Sequence, residues 1–177
     1  MDASEVKCLS VQQPYADWIV AGFKRVENRS WSTDYRGPIL IHASAKQIVL
    51  DEQTIWDAEE LGQTEEQLDA LPLGAIVGVV ELAGVISQVR EDGRIRGPGE
   101  FTKELKKCVE ACGEKLSHEL LDQQSEIHYD YNSTYWWALA RPRRLTRPIP
   151  CKGALRFWTP PPEVLDQLDL SILDERS

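Results

Sequence analysis

The segment AGFKRVENRSW, residues 21–31, concentrates charged side chains of types that can do chemistry. A lysine can serve as a nucleophile or proton carrier, a carboxylate as a base, and an arginine as a donor to a developing oxyanion. Lys24, Glu27 and Arg29 supply these three types within six positions. A solvated turn would carry the same charges without any function. The alternative is a pocket in which the three side chains surround a polar ligand.

Glu81 is a second candidate because it is the only charged residue in an apolar segment. The run from Gly74 to Val85 is rich in Val and Ile, which is typical of a strand that is buried on both faces. Burying a carboxylate in such a strand without a partner costs several kcal/mol, so the side chain must face solvent or be paired. An outward-facing glutamate is the simpler interpretation. The functional interpretation places Glu81 in the same cleft as Lys24.

Charge is segregated along the chain, although the net charge is −9. Residues 51–70 contain eight acids and no base, namely Asp51, Glu52, Asp57, Glu59, Glu60, Glu65, Glu66 and Asp69. Residues 141–158 contain six bases and no acid, namely Arg141, Arg143, Arg144, Arg147, Lys152 and Arg156. Such a layout lets an acidic protein present one positive rim, which would bind phosphates beside the cleft. Solvated surfaces without partners are the alternative for both blocks.

The elements before the charged segment predict how Lys24 is presented. Val6–Leu9 has the pattern of a short strand, and Pro14 suits the first turn of a helix that follows it. Apolar residues continue at helical spacing until Gly22, which is a natural end for that helix. We therefore expect Lys24 just beyond the end of a helix.

The following segment, Val26–Trp31, predicts a strand in which Glu27 and Arg29 share one face, where they can pair or jointly contact a base edge. Further strands are predicted at 39–42, 74–85, 135–139 and 155–158, and helices at 51–61, 101–121 and 163–168. The glycine-rich RGPGE, residues 96–100, is predicted to be a loop. Short strands with few interrupting helices favour an α+β barrel or half-barrel.

Composition and motifs argue against several classes of protein. The length of 177 residues and an apolar fraction of 42% predict one globular domain. The longest apolar run is too short to cross a bilayer, and MDASEVK lacks the pattern of a signal peptide, which predicts a cytoplasmic protein. The cysteines and histidines have no spacing typical of zinc, so no metal or other cofactor is expected. The catalytic motifs GxSxG, GxxxxGKS, HExxH and GxGxxG are absent from the sequence.

Several blocks of the sequence together resemble the ASCH domain, the activating-signal-cointegrator homology branch of the PUA-like superfamily. The hallmark of that family, GxKxxExR, is matched at Gly22, Lys24, Glu27 and Arg29. The similarity continues through GPILIHAS (37–44), GAIVGVVEL (74–82) and WWALARPRRLTRPIPCKG (136–153). It covers most of the chain and leaves about 88–132 as a less typical helical insertion.

The resemblance implies an α+β fold, a PUA-like β-barrel with flanking helices, in a single domain over residues 1–177. It also implies a cleft lined by the GxKxxExR segment that binds RNA or a nucleoside-like small molecule, such as a modified nucleobase. We expect the ligand-binding residues to be Lys24, Glu27, Arg29 and Glu81. The expected nucleic-acid-binding residues are Arg141, Arg143, Arg144, Arg147 and Lys152.

The same resemblance leaves two other functions open. Small bacterial relatives are amidohydrolases that deacylate N4-acetylcytidine with a lysine, a threonine three residues later and a strand glutamate. Lys24 and Glu81 would correspond to the lysine and the glutamate, which makes both candidate catalytic residues. Glu27 occupies the threonine position and departs from that pattern. The alternatives to a binding module are thus an amidohydrolase acting on an N4-acylated cytidine and a protein-interaction domain.

Overall fold

A computed structural model describes residues 5–46, 50–127, 133–169 and 171–174. The strands are β1 (Lys7–Val11), β2 (Val26–Arg29), β3 (Gly37–Ala43), β4 (Ala75–Ser87), β5 (Tyr135–Pro150) and β6 (Phe157–Trp158). The helices are α1 (Tyr15–Ala21), α2 (Glu52–Glu60), α3 (Glu65–Asp69), α4 (Pro98–Ala111), α5 (His118–Ile127), α6 (Pro162–Leu165) and α7 (Ser171–Asp174). The predicted α+β class is confirmed. None of the helices in these ranges is long and apolar enough to span a membrane.

The six strands form one mixed sheet in the order β2-β5-β4-β3-β1-β6. β1 pairs in parallel with β3, whereas β2 pairs antiparallel with β5 and β6 antiparallel with β1. Strand β4 has two burial patterns, because Ala75 to Val80 are buried in succession and alternation begins at Glu81. Its first part is therefore covered on both faces, as the Val and Ile run predicted, and its second part is more open on alternate positions.

The chain divides into two compact units, each assembled from segments that are separate in the sequence. The first, which we call the terminal unit, comprises the described residues up to Phe23, those within Pro38–Val80, and those from Pro142 onward. The second, the insert unit, comprises the described residues of Lys24–Gly37 and Glu81–Arg141. Strands β4 and β5 each contribute residues to both units.

Each unit has its own apolar core. In the terminal unit, buried residues of β1, β3 and β4 pack with the C-terminal helices, and the members include Cys8, Leu40, Ile76, Val79, Val164 and Leu165. In the insert unit, α4 and α5 cover β2 and β5 through Val26, Phe101, Leu105, Val109, Leu121 and Trp136. The rings of Phe101 and Trp136 meet edge to face, with centroids 5.0 Å apart. Burial of each such large side chain contributes roughly 1.5–3 kcal/mol to folding.

Several predicted boundaries differ from the structure. The single helix expected over 101–121 is two helices, because Gly113 between α4 and α5 adopts a left-handed φ of 81° that a continuous helix does not allow. The RGPGE loop is only partly a loop, since α4 begins at Pro98 with Gly97 as its N-cap. Both helices lie in the 88–132 segment, of which 128–132 fall outside the described residues.

Candidate ligand-binding site

The end of α1 determines where the charged segment starts. Gly22 caps the helix with φ 87°, in the left-handed region where a side chain is strained, and its N–H donates to the carbonyl of Ile19 at 3.1 Å. The predicted helix end is confirmed. Lys24 follows two residues later, before β2 begins.

Pairing between β2 and β5 fixes the direction of the motif side chains. Glu27 lies opposite Trp137, and Arg29 lies opposite Tyr135. Residues two apart on a strand share a face. The oxygen Oε1 of Glu27 accordingly lies 2.9 Å from a guanidinium nitrogen of Arg29, which confirms that the two side chains pair.

Lys24 completes this arrangement from outside the strand. Its ammonium donates to the carbonyl of Val26 and lies 3.7 Å from Oε2 of Glu27. The carboxylate of Glu27 is thus held between two cations. We call these three residues the KER cluster, in which two positive groups and one negative group leave a formal charge of +1.

Water is largely excluded from two members of the KER cluster. The side chains of Lys24 and Glu27 are only 4% and 10% exposed, whereas that of Arg29 is 21% exposed. Removing charged groups from water is costly, and mutual pairing offsets the cost only in part. A solvated turn is therefore excluded for Lys24 and Glu27. Arg29 is the member most accessible to a ligand.

An aromatic pair lies on the same face of the strands as Glu27. Trp137, its cross-strand partner, is fully buried and donates its indole N–H to the carbonyl of Trp31 at 3.2 Å. The two indole rings meet edge to face with centroids 4.5 Å apart. Trp31 is partly exposed. Charged donors, a carboxylate and an aromatic surface therefore occur together.

Arg25 lies next to Lys24 in the sequence, but its side chain has other partners than the KER cluster. Its guanidinium makes a two-nitrogen contact with the carboxylate of Glu114, which also accepts a bond from the backbone N–H of Arg141 at 2.6 Å. The backbone N–H of Arg25 donates to the buried side chain of Gln124. These bonds join the start of β2 to the loop between α4 and α5 and to β5. Arg25 is thus structural, and Arg141 contributes its backbone to the same arrangement.

Glu81 lies where the alternating part of β4 begins, and its side chain is partly exposed. It is within electrostatic range of the thiol of Cys112. Burial is the main reason that the pKa of Cys112 is raised, Glu81 raises it further, and Arg141 opposes the shift. That Glu81 faces the same ligand as Lys24 stays a prediction.

The basic residues of the terminal unit differ in their surroundings. Arg144 pairs with Asp17, whose side chain is 4% exposed, and this hydrogen bond raises the pKa of Arg144. Arg147 and Lys152 are exposed, and Arg143 is half-buried. Arg144 therefore has a structural partner, whereas Arg147 and Lys152 extend into solvent. Phosphate binding by these residues stays a prediction.

A polar pair that sequence reasoning missed lies in the terminal unit. The parallel register of β1 and β3 places Ser10 beside His42. Nε2 of His42 lies 3.0 Å from the carbonyl of Cys151, which can only accept, so Nδ1 is left to accept from Ser10 Oγ at 3.3 Å. Trp158 donates to the same hydroxyl at 3.2 Å. Burial lowers the pKa of His42. Because Ser10 and His42 are 32 positions apart, they gave no joint signal in the sequence.

Comparison with known proteins identifies the family. A sequence model of the ASCH domain matches residues 9–148. The chain belongs to the ASCH domain family. Activating signal cointegrator 1 of Homo sapiens is 29% identical over 154 residues, and that of Mus musculus is 26% identical over 154 residues. Each alignment covers 85% of this chain and 22% of the relative, so the chain spans about a fifth of those proteins.

Two solved structures of an ASCH protein from Zymomonas mobilis are also similar to this ASCH domain. The wild-type structure has a TM-score of 0.47 at 14% identity and covers 93% of each chain. A point mutant of the same protein has a TM-score of 0.46 at 14% identity, over 92% of this chain and 95% of the other. The family predicted from the GxKxxExR motif is confirmed by the sequence match.

Proposed function

We propose that this ASCH domain binds RNA or a modified nucleobase at the KER cluster. The observation that carries the proposal is the position of the Glu27 carboxylate, which is held between Lys24 and Arg29 on the strand face that also bears Trp137. Hydrogen-bond donors and an acceptor are thereby fixed before a ligand arrives. Fixed groups lose less conformational entropy on binding than mobile ones.

The side-chain types of the cluster match the edge of a nucleobase. A carboxylate accepts from an exocyclic amine such as N4 of cytosine, and a guanidinium or ammonium donates to a ring nitrogen or a carbonyl. Unpaired bases also stack on aromatic side chains and arginine planes. Arg29 is the accessible member, and Trp31 supplies a partly exposed ring. Membership in the ASCH family, which is associated with RNA binding, supports this interpretation.

Phosphate contacts would add affinity without adding sequence preference. The exposed Arg147 and Lys152 are suited to this role, with Arg141 and Arg143 as further donors. Because the protein carries a net charge of −9, only a local group of bases can attract a polyanion. Arg144 is less suited because Asp17 already occupies its guanidinium.

Calorimetric titration with cytidine, N4-acetylcytidine, adenosine, guanosine and uridine, followed by mass spectrometry of each mixture, tests the proposal. Saturable binding without a new product, weakened in Arg29→Gln, is the expected result. Release of acetate from N4-acetylcytidine that requires Lys24 and Glu81 would instead establish the amidohydrolase. If no nucleoside binds, and single-stranded RNA titrated in the same way does not bind either, the remaining alternative is a protein-interaction domain.

A further inference from the structure

The acidic block at 51–70 forms a surface that the proposed nucleic-acid site does not use. Two of its acids have structural roles, since Asp51 caps α2 through Thr54, and buried Asp57 accepts a bond from Gln53. The other six carboxylates are exposed: Glu52, Glu59, Glu60, Glu65, Glu66 and Asp69. None of the six forms an ion pair with a Lys or Arg in the described part of the chain.

Helix ends explain only part of this charge. Glu52, Glu65 and Glu66 lie in the first turns of their helices, where a negative charge interacts favourably with the helix dipole. Glu59 and Glu60 lie at the opposite end of α2, where the dipole disfavours a negative charge. Local helix stability therefore does not account for the whole set.

A hollow of about 410 Å³ lies between α2 and α3. Its lining combines apolar Ile55, Ala58 and Leu68, of which Ala58 and Leu68 are almost fully buried, with polar Gln63 and Thr64 and the carboxylates of Glu59, Glu65 and Glu66. We call it the acidic groove. An apolar lining with acidic groups suits a side chain that has an aliphatic stem and a cationic head, as lysine and arginine have.

Trp56 adds a second feature beside the acidic groove. It follows Ile55 on α2 and is 70% exposed, in a chain whose other tryptophans are buried or half-buried. Glu52 and Glu60 lie four residues before and after it, so both share its helix face. Trp56, Glu52 and Gln53 line a hollow of about 470 Å³. An aromatic ring between two carboxylates favours a guanidinium stacked on the ring face.

The size of the ligand follows from the spread of the charges. Among the described residues, no group of three or more His, Cys, Asp or Glu side chains converges as a metal site. A small cation would therefore not engage this surface as a whole. Nucleic acid is repelled by six unneutralised carboxylates. An extended polycation with apolar stems fits both the charge and the exposed aromatic ring.

We propose that α2 and α3 dock an arginine-containing basic segment of a partner protein, with one arginine in the acidic groove and another stacked on Trp56. This interaction is independent of the KER cluster, and the inference does not rest on the proposed function. The partner is defined by its chemistry: a basic, extended or helical peptide in which arginines recur.

Fluorescence anisotropy of a labelled peptide with alternating Arg and Ala tests the proposal. Glu59→Gln/Glu65→Gln/Glu66→Gln should weaken binding by about tenfold or more, because three charge-assisted contacts are lost. The matched control neutralises three exposed acids outside the block, Glu91, Glu119 and Glu163, and should change affinity by no more than about twofold. Trp56→Ala should weaken binding, and Trp56→Phe should retain most of it.

Three results would overturn the inference. Equal losses in the two triple variants would mean that net charge alone attracts the peptide. No measurable binding at low salt would mean that the surface is only solvated. Self-association of the wild-type protein in sedimentation velocity, abolished by the groove variant, would mean that a second copy occupies the surface. Circular dichroism and thermal melts should show that all variants fold, because the substituted side chains are exposed.

Discussion

The carboxylate of Glu27 lies 2.9 Å from the guanidinium of Arg29, and the pairing of β2 with β5 directs both side chains to one face. The ion pair holds the guanidinium of Arg29 as a hydrogen-bond donor and the carboxylate of Glu27 as an acceptor in fixed positions. Lys24 approaches the other carboxylate oxygen at 3.7 Å from the turn before the strand. The GxKxxExR spacing thus combines one turn residue with two residues of a regular strand.

The interaction between Lys24 and Glu27 should be measurable as a coupling free energy in unfolding experiments on single and double variants. Glu27→Gln removes the charge that faces a largely buried ammonium, and should lower the free energy of unfolding by about 2–4 kcal/mol. Lys24→Met/Glu27→Gln should cost less than the sum of the two single changes, because the double variant leaves neither charge of the pair without its partner. Urea unfolding monitored by circular dichroism supplies all four values. Additivity within about 0.5 kcal/mol would show that the two groups are not coupled.

Arg144 and Arg147 should differ in their effect on stability, although both are in the basic block. Arg144→Ala leaves the carboxylate of Asp17 buried without its partner. Since the side chain of Arg144 is 46% exposed, solvent screening reduces the expected loss to about 1–2 kcal/mol. Arg147→Ala should lie within about 0.5 kcal/mol of wild type, because Arg147 is exposed. Equal thermal stability of the two variants would contradict the role assigned to Asp17.

The salt dependence of RNA binding should report the phosphate contacts. Each single-strand contact contributes roughly 0.7 to the slope of log affinity against log salt. Arg147→Ala/Lys152→Ala should therefore flatten the slope by about 1.4 if both residues bind phosphate. Lys103→Ala/Lys107→Ala on α4 has the same charge change and should leave the slope unaltered. If both double variants flatten the slope equally, the slope reports the net charge of the protein and not phosphate contacts at Arg147 and Lys152.

Stability should fall on mild acidification because of His42. Burial lowers its pKa in the folded protein, so the unfolded chain binds the proton more readily. The stabilisation from neutral His42 is complete above the unfolded pKa of about 6.5 and is lost as the pH falls below it. His42→Gln should flatten the dependence of unfolding free energy on pH between about 7 and 5. Parallel profiles for wild type and His42→Gln would contradict this assignment.

Patterns within one element were predictable from the sequence. Gly22 ends α1 because the backbone there is in the left-handed region, which glycine adopts without strain. Glu27 and Arg29 share a face because they are two residues apart on a strand. The apolar run that became β4 and the helix at 52–60 were also evident. In each case the deciding interaction is local, so a single stretch of sequence contains the signal.

Interactions between distant segments were not predictable. Arg25 and Glu114 are 89 positions apart in the sequence, and Arg144 and Asp17 are 127 apart. Neither pair therefore produces a periodic pattern in the sequence. Strand β5 continues to Pro150, beyond the predicted end at 139, even though its later part carries prolines. Tertiary pairing overrides the local preference there. Helix α3 was missed because five residues are too few for a periodic signal.

Equilibrium binding of a fluorescein-labelled single-stranded RNA to wild type, Arg29→Gln and Arg94→Gln measures whether the KER cluster binds RNA. Arg29 is the accessible member of the KER cluster, and the exposed Arg94 provides the same change of charge in the insert unit. Arg29→Gln should weaken binding by about tenfold or more, whereas Arg94→Gln should stay within about twofold of wild type. Equal affinities of the two variants, or no RNA binding by wild type at low salt, would contradict RNA binding at the KER cluster.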